Sequence, residues 1–280
     1  MNADLHAHST VSDGWLSPTE LVRRAAANGV TLLALTDHDE VGGIDEALEA
    51  ASEYDIELVP GVEISVSFLG ETVHVVGLGI DHRDPTLLAG LAAVRSGRAQ
   101  RAERIGKALE AVGIRDALEG ARRYAGNPDL VSRAHFARYL VSSGLMPDVN
   151  TVFRHYLAKG KPGFVEHEWA RLDDAVGWIR AAGGVAVIAH PARYRLSTME
   201  MDCLFDRFMA CGGEGVEVVS GAHSDAEMAR FASLARRRGM LASRASDFHG
   251  ERESPVDLGA CRSLPTDLTP VWTRLVHAAI

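Results

Sequence analysis

Short apolar runs that end in histidine or aspartate constrain this chain more than any other feature. Thr31-Leu32-Leu33-Ala34-Leu35-Thr36 leads into Asp37-His38-Asp39, and Val185-Ala186-Val187-Ile188-Ala189 leads into His190-Pro191. Residues 240–245 lead into Ser246-Asp247-Phe248-His249. Continuous apolar runs of this length suit strands covered on both faces, the usual condition of a parallel sheet. Helical patterns lie between them. Ser17-Pro18-Thr19-Glu20 offers an N-cap, a proline at the first helical position and a capping box. Leu21, Val22, Ala25 and Ala26 then share a face, and Gly29 ends the helix. The spacing predicts further helices over 42–54, 171–182, 199–211 and 224–238, with a closing helix over 269–279. Strands are expected over 3–6, 57–64, 73–80 and 215–219 as well. Repeated strand–helix units imply parallel strands joined by right-handed crossovers. About seven strands point to an α/β barrel related to the TIM barrel, with an open doubly wound sheet as the alternative.

The rhythm breaks between residues 84 and 157, where the pattern is helical and no strand stands out. Ala102, Ile105, Ala108, Leu109 and Val112 recur at helical spacing, and Ser132-Arg133-Ala134-His135-Phe136 opens a new helix after Asn127-Pro128-Asp129. The expected organisation is a barrel built from 1–83 and 166–280, with a helical insertion over 84–165. Charge follows the same division. The chain carries a net −9. Residues 95–165 hold 13 Lys and Arg against 6 Asp and Glu, a net +7, which leaves −16 on the remainder. Such a balance argues against a protein that coats nucleic acid, and suits an acidic metal-carrying body with a basic segment facing an anionic substrate.

No stretch approaches the ~20 apolar residues of a membrane span. The chain enters strand-like sequence directly, without a basic n-region or an apolar h-region, so the expectation is a cytoplasmic protein with no membrane attachment. The three cysteines, Cys203, Cys211 and Cys261, have no Cys-x-x-Cys spacing and imply neither a disulfide framework nor a zinc knuckle.

In a barrel of this kind the site forms where strands end. His6 and His8 follow the first strand, one residue apart and so on one face. Asp13 lies in the first loop. His38 follows the second strand and Glu63 lies near the end of the third. His190, Asp247 and His249 follow later strands, whereas His74 is irregular because it falls early in its strand. Nine such side chains at one rim are costly to bury unless something pairs with them, and divalent cations are the natural partner. Mixed imidazole and carboxylate donors suit zinc, manganese or iron.

The motifs Asp4-Leu5-His6-Ala7-His8, Thr36-Asp37-His38-Asp39, Pro60-Gly61-Val62-Glu63, His74, Ala189-His190-Pro191 and Ser246-Asp247-Phe248-His249 resemble, in order, those of the PHP (polymerase and histidinol phosphatase) family. The resemblance implies a distorted (β/α)7 barrel holding three divalent metal ions, most often manganese, with iron or zinc as alternatives. Its metal positions fall on His6, His8, Asp13, His38, Glu63, His74, His190, Asp247 and His249. Ser132 to Leu140 and Tyr156 to Lys161 are similar to the bacterial branch that hydrolyses nucleoside 3′,5′-bisphosphates, whose relatives also trim RNA from the 5′ end. The expected activity is removal of a 3′-phosphate by a metal-bridging hydroxide, without a protein nucleophile. Arg133 and His135, at a helix start, are candidates for the second phosphate, with Lys159, Lys161 and Arg193. Asp37 and Asp39 are expected to orient histidines. The substrate is a small nucleotide, with short 5′-phosphorylated RNA as an extension, and no protein partner is implied. Three alternatives compete. A histidinol-phosphate phosphatase would take a cationic substrate, which the basic insertion disfavours. An amidohydrolase would commonly bridge its metals with a modified lysine, and no lysine ends a strand here. A non-catalytic accessory module would tend to lose ligands.

Overall fold

The structure, a computed structural model, describes residues 1–275. Seven strands form one sheet in sequence order: β1 (Ala3–Asp4), β2 (Leu32–Leu35), β3 (Glu57–Phe68), β4 (Glu71–Leu78), β5 (Val185–Ile188), β6 (Gly215–Ser220) and β7 (Leu241–Ala245). The sheet curls until its edges meet. Leu5 N–H donates to Arg244 O at 3.1 Å, Asp247 N–H to His6 O at 3.0 Å, and His8 N–H to Phe248 O at 2.9 Å.

Strand pairing is parallel except at β4, which runs antiparallel to both β3 and β5. This corrects the expectation of parallel strands throughout. The local cause is a two-residue hairpin. Leu69 and Gly70 both have positive φ, 48° and 76°, the geometry of the turn that matches strand twist. A crossover helix would need a dozen or more residues, and two residues allow only a reversal. β3 also runs four residues past its expected end to make this hairpin.

Helices α1 (Pro18–Ala27), α2 (Ile44–Ala51), α7 (Leu172–Ala181), α8 (Thr198–Ala210) and α9 (Asp225–Arg238) cover the outside of the sheet. The capping box at Ser17 and Glu20 forms as expected, and Gly29 takes φ +72° one residue past the C-cap Asn28. Leu21, Val22, Ala25, Leu172, Ala175, Val176, Ile179, Phe205, Phe208 and Phe231 pack there against outward-facing sheet residues. Inside, Ala3, Leu5, Leu32, Ala34, Val59, Val76, Leu78, Val185, Val187 and Ala189 fill the barrel, closed from below by Val271 and Leu275.

Between β4 and α7 lie α3 (Pro85–Glu110), α4 (Ala117–Arg122), α5 (Arg133–Ser142) and α6 (Val149–Val152), which runs into a π-helical turn over Phe153–Leu157. Ala102, Ile105, Leu109, Phe136, Leu140 and Leu157 make a separate apolar cluster there. Val112, expected on that face, is exposed because α3 ends at Glu110. Near the chain end the expected helix over 269–279 is corrected: Pro270 bridges to Ala242, Val271–Arg274 form only a 3-10 turn, and 276–279 lie outside the described residues. Among the described residues no helix is long and apolar enough to cross a membrane.

Candidate metal centre

Side-chain alternation carries the barrel interior from apolar to polar along each strand. In β3, Val59 faces inward, then Gly61, then Glu63. After β2, Leu32 and Ala34 give way at the same period to Thr36 and His38. β4 runs the opposite way, so its inward residues read Leu78, Val76, His74 towards the same rim. His74 lies opposite Ser65, two residues beyond Glu63. The strand reversal therefore explains why a histidine early in its strand still reaches the rim.

All nine candidate ligands converge there. His8, Asp13, His38 and His249 form one group of donor atoms within 4.8 Å of one another. His6, His190 and Asp247 form a second, His6, His8 and Glu63 a third, and His38, Glu63 and His74 a fourth. Glu63 is fully buried and central. Its Oε1 lies 2.7 Å from His74 Nδ1 and 3.0 Å from His190 Nε2. Its Oε2 lies 2.8 Å from His38 Nδ1, 3.2 Å from His6 Nε2 and 3.3 Å from His8 Nε2.

Burial opposes the charge on Glu63, but His74, His38 and His6 outweigh it and hold its pKa well below the ordinary carboxylate value. Asp13 and Asp247 are held down in the same way, against burial, by the surrounding imidazoles. Burial pushes His38 down to about 4, towards the neutral, ligand-competent form. His6 moves the other way. Burial opposes its charge, and Glu63, Glu217 and Asp247 together more than offset it.

Two observations fit this set to cations. His6 Nε2 and His8 Nε2 point at each other across 3.0 Å, with Asp247 Oδ1 3.5 and 3.4 Å away. In addition, Asp13 Oδ1 and His190 Nδ1 are buried without a hydrogen-bond partner, and Glu63 Oε2 faces three imidazole nitrogens with no well-directed hydrogen bond to any. Orphaned polar atoms are costly, and such atoms within one cluster of nitrogen and oxygen donors fit a divalent metal. His82 lies apart, paired with Asp45 at 2.9 Å. His223 is pinned by Val218 O and by the Ala192 N–H and stacks on Phe231.

The cluster floors a cavity of about 430 Å³ whose far wall comes from α3, α5 and α6. Arg133 and Arg193 line it. Arg133 donates to Leu157 O at 3.3 Å and lies over Phe153, while Arg193 reaches Asp247 Oδ2 at 2.6 Å. The other three substrate candidates fall elsewhere. His135 is fully buried outside the lining, with Nδ1 accepting from the Ser132 N–H as the far half of a helix cap. Lys159 pairs with Glu71 at the β3–β4 hairpin, and Lys161 is exposed. A helix start does carry free N–H groups, but its third residue points back over the cap rather than forward to a ligand.

Asp37 accepts from Ser9 N–H, Ser9 Oγ and Ser12 Oγ. It thus holds the loop between His8 and Asp13 rather than a ring. Among the described residues Asp39 touches no histidine. It accepts from Arg98 Nε at 2.6 Å and from the Ser65 N–H.

Sequence reasoning missed three groups. Glu217 accepts from His6 Nδ1, and its signal was the one that marked Glu63, a carboxylate inside an apolar strand. Arg98 and Arg101 line the cavity from α3 and flank Trp169, with guanidinium carbons 4.8 and 5.2 Å from the ring centroid. A helical arginine gives no local sign that it turns inward. Arg101 is buried, and its Nε donates to Val165 O at 3.2 Å. Burial, then the charge of Arg133, pushes it down to about 9. Among the described residues neither Arg101 nor Arg133 has a carboxylate within ion-pair distance, so the wall presents uncompensated positive charge to the cavity.

Known proteins resemble this chain in sequence and fold. A family model described as PHP domain matches residues 4–179. A 3′,5′-nucleoside bisphosphate phosphatase of Chromobacterium violaceum is 52% identical over 98% of this chain and 96% of its own. A 5′-3′ exoribonuclease of Haemophilus influenzae is 44% identical over 97% of this chain and 98% of its own. A solved Chromobacterium violaceum structure, described as an amidohydrolase with bound sulfate and no metal, superposes with a TM-score of 0.96 at 51% identity, covering 99% of this chain and 97% of that one. With likeness at this level over nearly its whole length, the chain belongs to the PHP domain family.

Proposed function

We propose that this protein is a metal-dependent phosphoesterase that removes the 3′-phosphate from nucleoside 3′,5′-bisphosphates and trims short 5′-phosphorylated RNA at the same site. One observation carries the reading. A buried cluster of nine imidazole and carboxylate donors shares a cavity with two arginines that have no counter-ion among the described residues. The first feature suits a phosphoryl group that reacts, and the second suits one that is only held. The nine residues hold three divalent ions, manganese foremost, and the helical segment 84–165 acts as the cap over the substrate.

Bound cations supply an activated water and neutralise charge on the phosphoryl oxygens. The chain supplies the rest. Arg193, beside Asp247, faces the reacting phosphoryl group, and Arg133 with Arg101 holds the 5′-phosphate. Water adds to phosphorus, the bond from phosphorus to O3′ breaks, and O3′ takes a proton. With a bisphosphate the products are a nucleoside 5′-phosphate and inorganic phosphate. With RNA the same bond breaks, and the phosphate stays on the next nucleotide as a new 5′-phosphate. One chemistry thus accounts for the activities named in both bacterial relatives. The amidohydrolase reading is disfavoured because no lysine lines the cavity.

The test is phosphate release from adenosine 3′,5′-bisphosphate by the manganese-loaded protein, with histidinol phosphate alongside. The bisphosphate should be strongly preferred. His190→Ala should abolish turnover, and Arg133→Ala should raise KM roughly 10- to 100-fold, the worth of a charge-assisted phosphate contact. Preference for histidinol phosphate would refute the assignment of the second phosphate. Absence of phosphate release from both by metal-loaded protein would refute the phosphatase reading.

A further inference from the structure

We infer that Glu217 is a positioning residue that fixes His6 and His190 together and so builds one metal position of the cluster. Glu217 faces the barrel interior from β6 and is 1% exposed. Its two oxygens serve two different strands. Oε1 lies 2.6 Å from His6 Nδ1, and Oε2 accepts the backbone N–H of His190 at 2.6 Å. Among the described residues it meets no lysine or arginine, so both halves of its charge are spent on candidate ligands.

Each contact does a separate task. A proton on His6 Nδ1, shared with Glu217, leaves Nε2 bare and aimed at Glu63 and Asp247, 3.2 and 3.5 Å away. The second contact acts on backbone. His190 has φ 25° and ψ 58°, a left-handed conformation that L residues adopt at a cost. A carboxylate on its N–H holds that turn, which sets the ring with Nε2 3.0 Å from Glu63 Oε1. Glu217 is itself held in place. The β6–β7 register slips immediately after it, between Glu217 and Val219, and Val218 O in this bulge accepts from His223 Nδ1. Bulges of this kind re-aim side chains beside active sites.

The consequence is selective. His6, His190 and Asp247 form the donor group that holds both residues Glu217 touches; His6 also joins His8 and Glu63, whereas His8, Asp13, His38 and His249 form a group that Glu217 does not touch. Loss of Glu217 should weaken the first site most and spare the last. The inference rests on the metal reading above. The experiment measures Mn2+ binding to chelator-stripped wild-type and Glu217→Gln protein by equilibrium dialysis with elemental analysis. The melting temperature of each metal-free protein is measured alongside. Gln keeps the volume but loses the charge and one acceptor. The expected result is one site weakened roughly 10- to 100-fold, the typical effect of removing a ligand's hydrogen-bond partner, with at least one site at wild-type affinity and the metal-free melting temperature unchanged. Glu217→Asp, which keeps the charge but retracts it from His6, should show the same selective loss and stands in if the Gln variant does not fold. Wild-type affinity at every site would overturn the inference. So would a uniform loss at all sites with a lowered metal-free melting temperature, the mark of a merely structural residue. If wild-type protein takes up no Mn2+, the metal reading fails first, and that outcome is visible in the same assay.

Discussion

Glu63 meets five imidazoles through its two oxygens. Replacing it with Gln removes the charge at nearly constant volume. Glu63→Gln should cost at least about 10³-fold in kcat, the scale of losing an electrostatic element of the site. It should also lower the bound metal per chain, read by elemental analysis. His135 illustrates a different use of a buried ring. Burial pushes it down to about 4 from the ordinary 6.5, and its neutral Nδ1 accepts from the Ser132 N–H. The unfolded chain binds a proton more readily than the fold between those two values. The stability this ring contributes is therefore complete above about pH 6.5 and lost as pH falls towards 4, by up to about 3 kcal/mol. Urea unfolding of the metal-free protein against His135→Asn should show the wild type losing more stability across that window. Parallel curves for the two proteins would exclude the linkage.

At the scale of elements, α5 ties the helical segment to the metal loops. Ser132 Oγ, at its N-cap, donates to Asp13 Oδ2 at 3.0 Å. Six residues on, Arg138 is 4% exposed, forms a two-pronged pair with Glu253 at 2.8 Å and also bonds Asp13 O. Its guanidinium lies 4.6 Å from the Trp15 ring centroid, and Trp15 Nε1 donates to the same Glu253. Breaking a buried pair strands its partner, so Arg138→Ala should cost about 3 kcal/mol in unfolding free energy. It should also weaken metal binding through Asp13. A double-mutant cycle with Glu253→Gln would separate the pair's coupling from simple loss of packing. The start of α5 was legible, because Ser132 is a capping residue before a helical pattern. The latch was not, since Arg138 reads locally as one more surface cation.

Over the whole molecule, the metal cluster is also a tie between strands. Its donors come from β3, β4 and the segments after β1, β2, β5 and β7, so cations there join most of the barrel. A metal that binds the fold and not the unfolded chain stabilises by about 2.7 kcal/mol per site at a hundredfold excess over Kd. Stripping the metals should therefore lower the melting temperature by roughly 5–10 °C for each site emptied. Adding Mn2+ back should restore it. An unchanged melting temperature would mean that the barrel is rigid without its ions.

The sequence alone determined the positions of the strands along the chain, most helix boundaries and, with the family motifs, the nine residues that meet at the rim. Most of these follow an apolar run, and a run buried on both faces can end in such residues only at an exposed strand end. Three things were decided by tertiary structure. β4 pairs antiparallel with both β3 and β5, and that direction brings His74 to the rim. The inward turn of Arg98 and Arg101 depended on α3 lying across the cavity mouth, which helical periodicity does not encode. The tasks of Glu217 and Asp39 depended on partners 27 to 211 and 26 to 59 residues away. A local pattern reports which face a residue occupies. What it touches there is set by the strand or helix that packs against it.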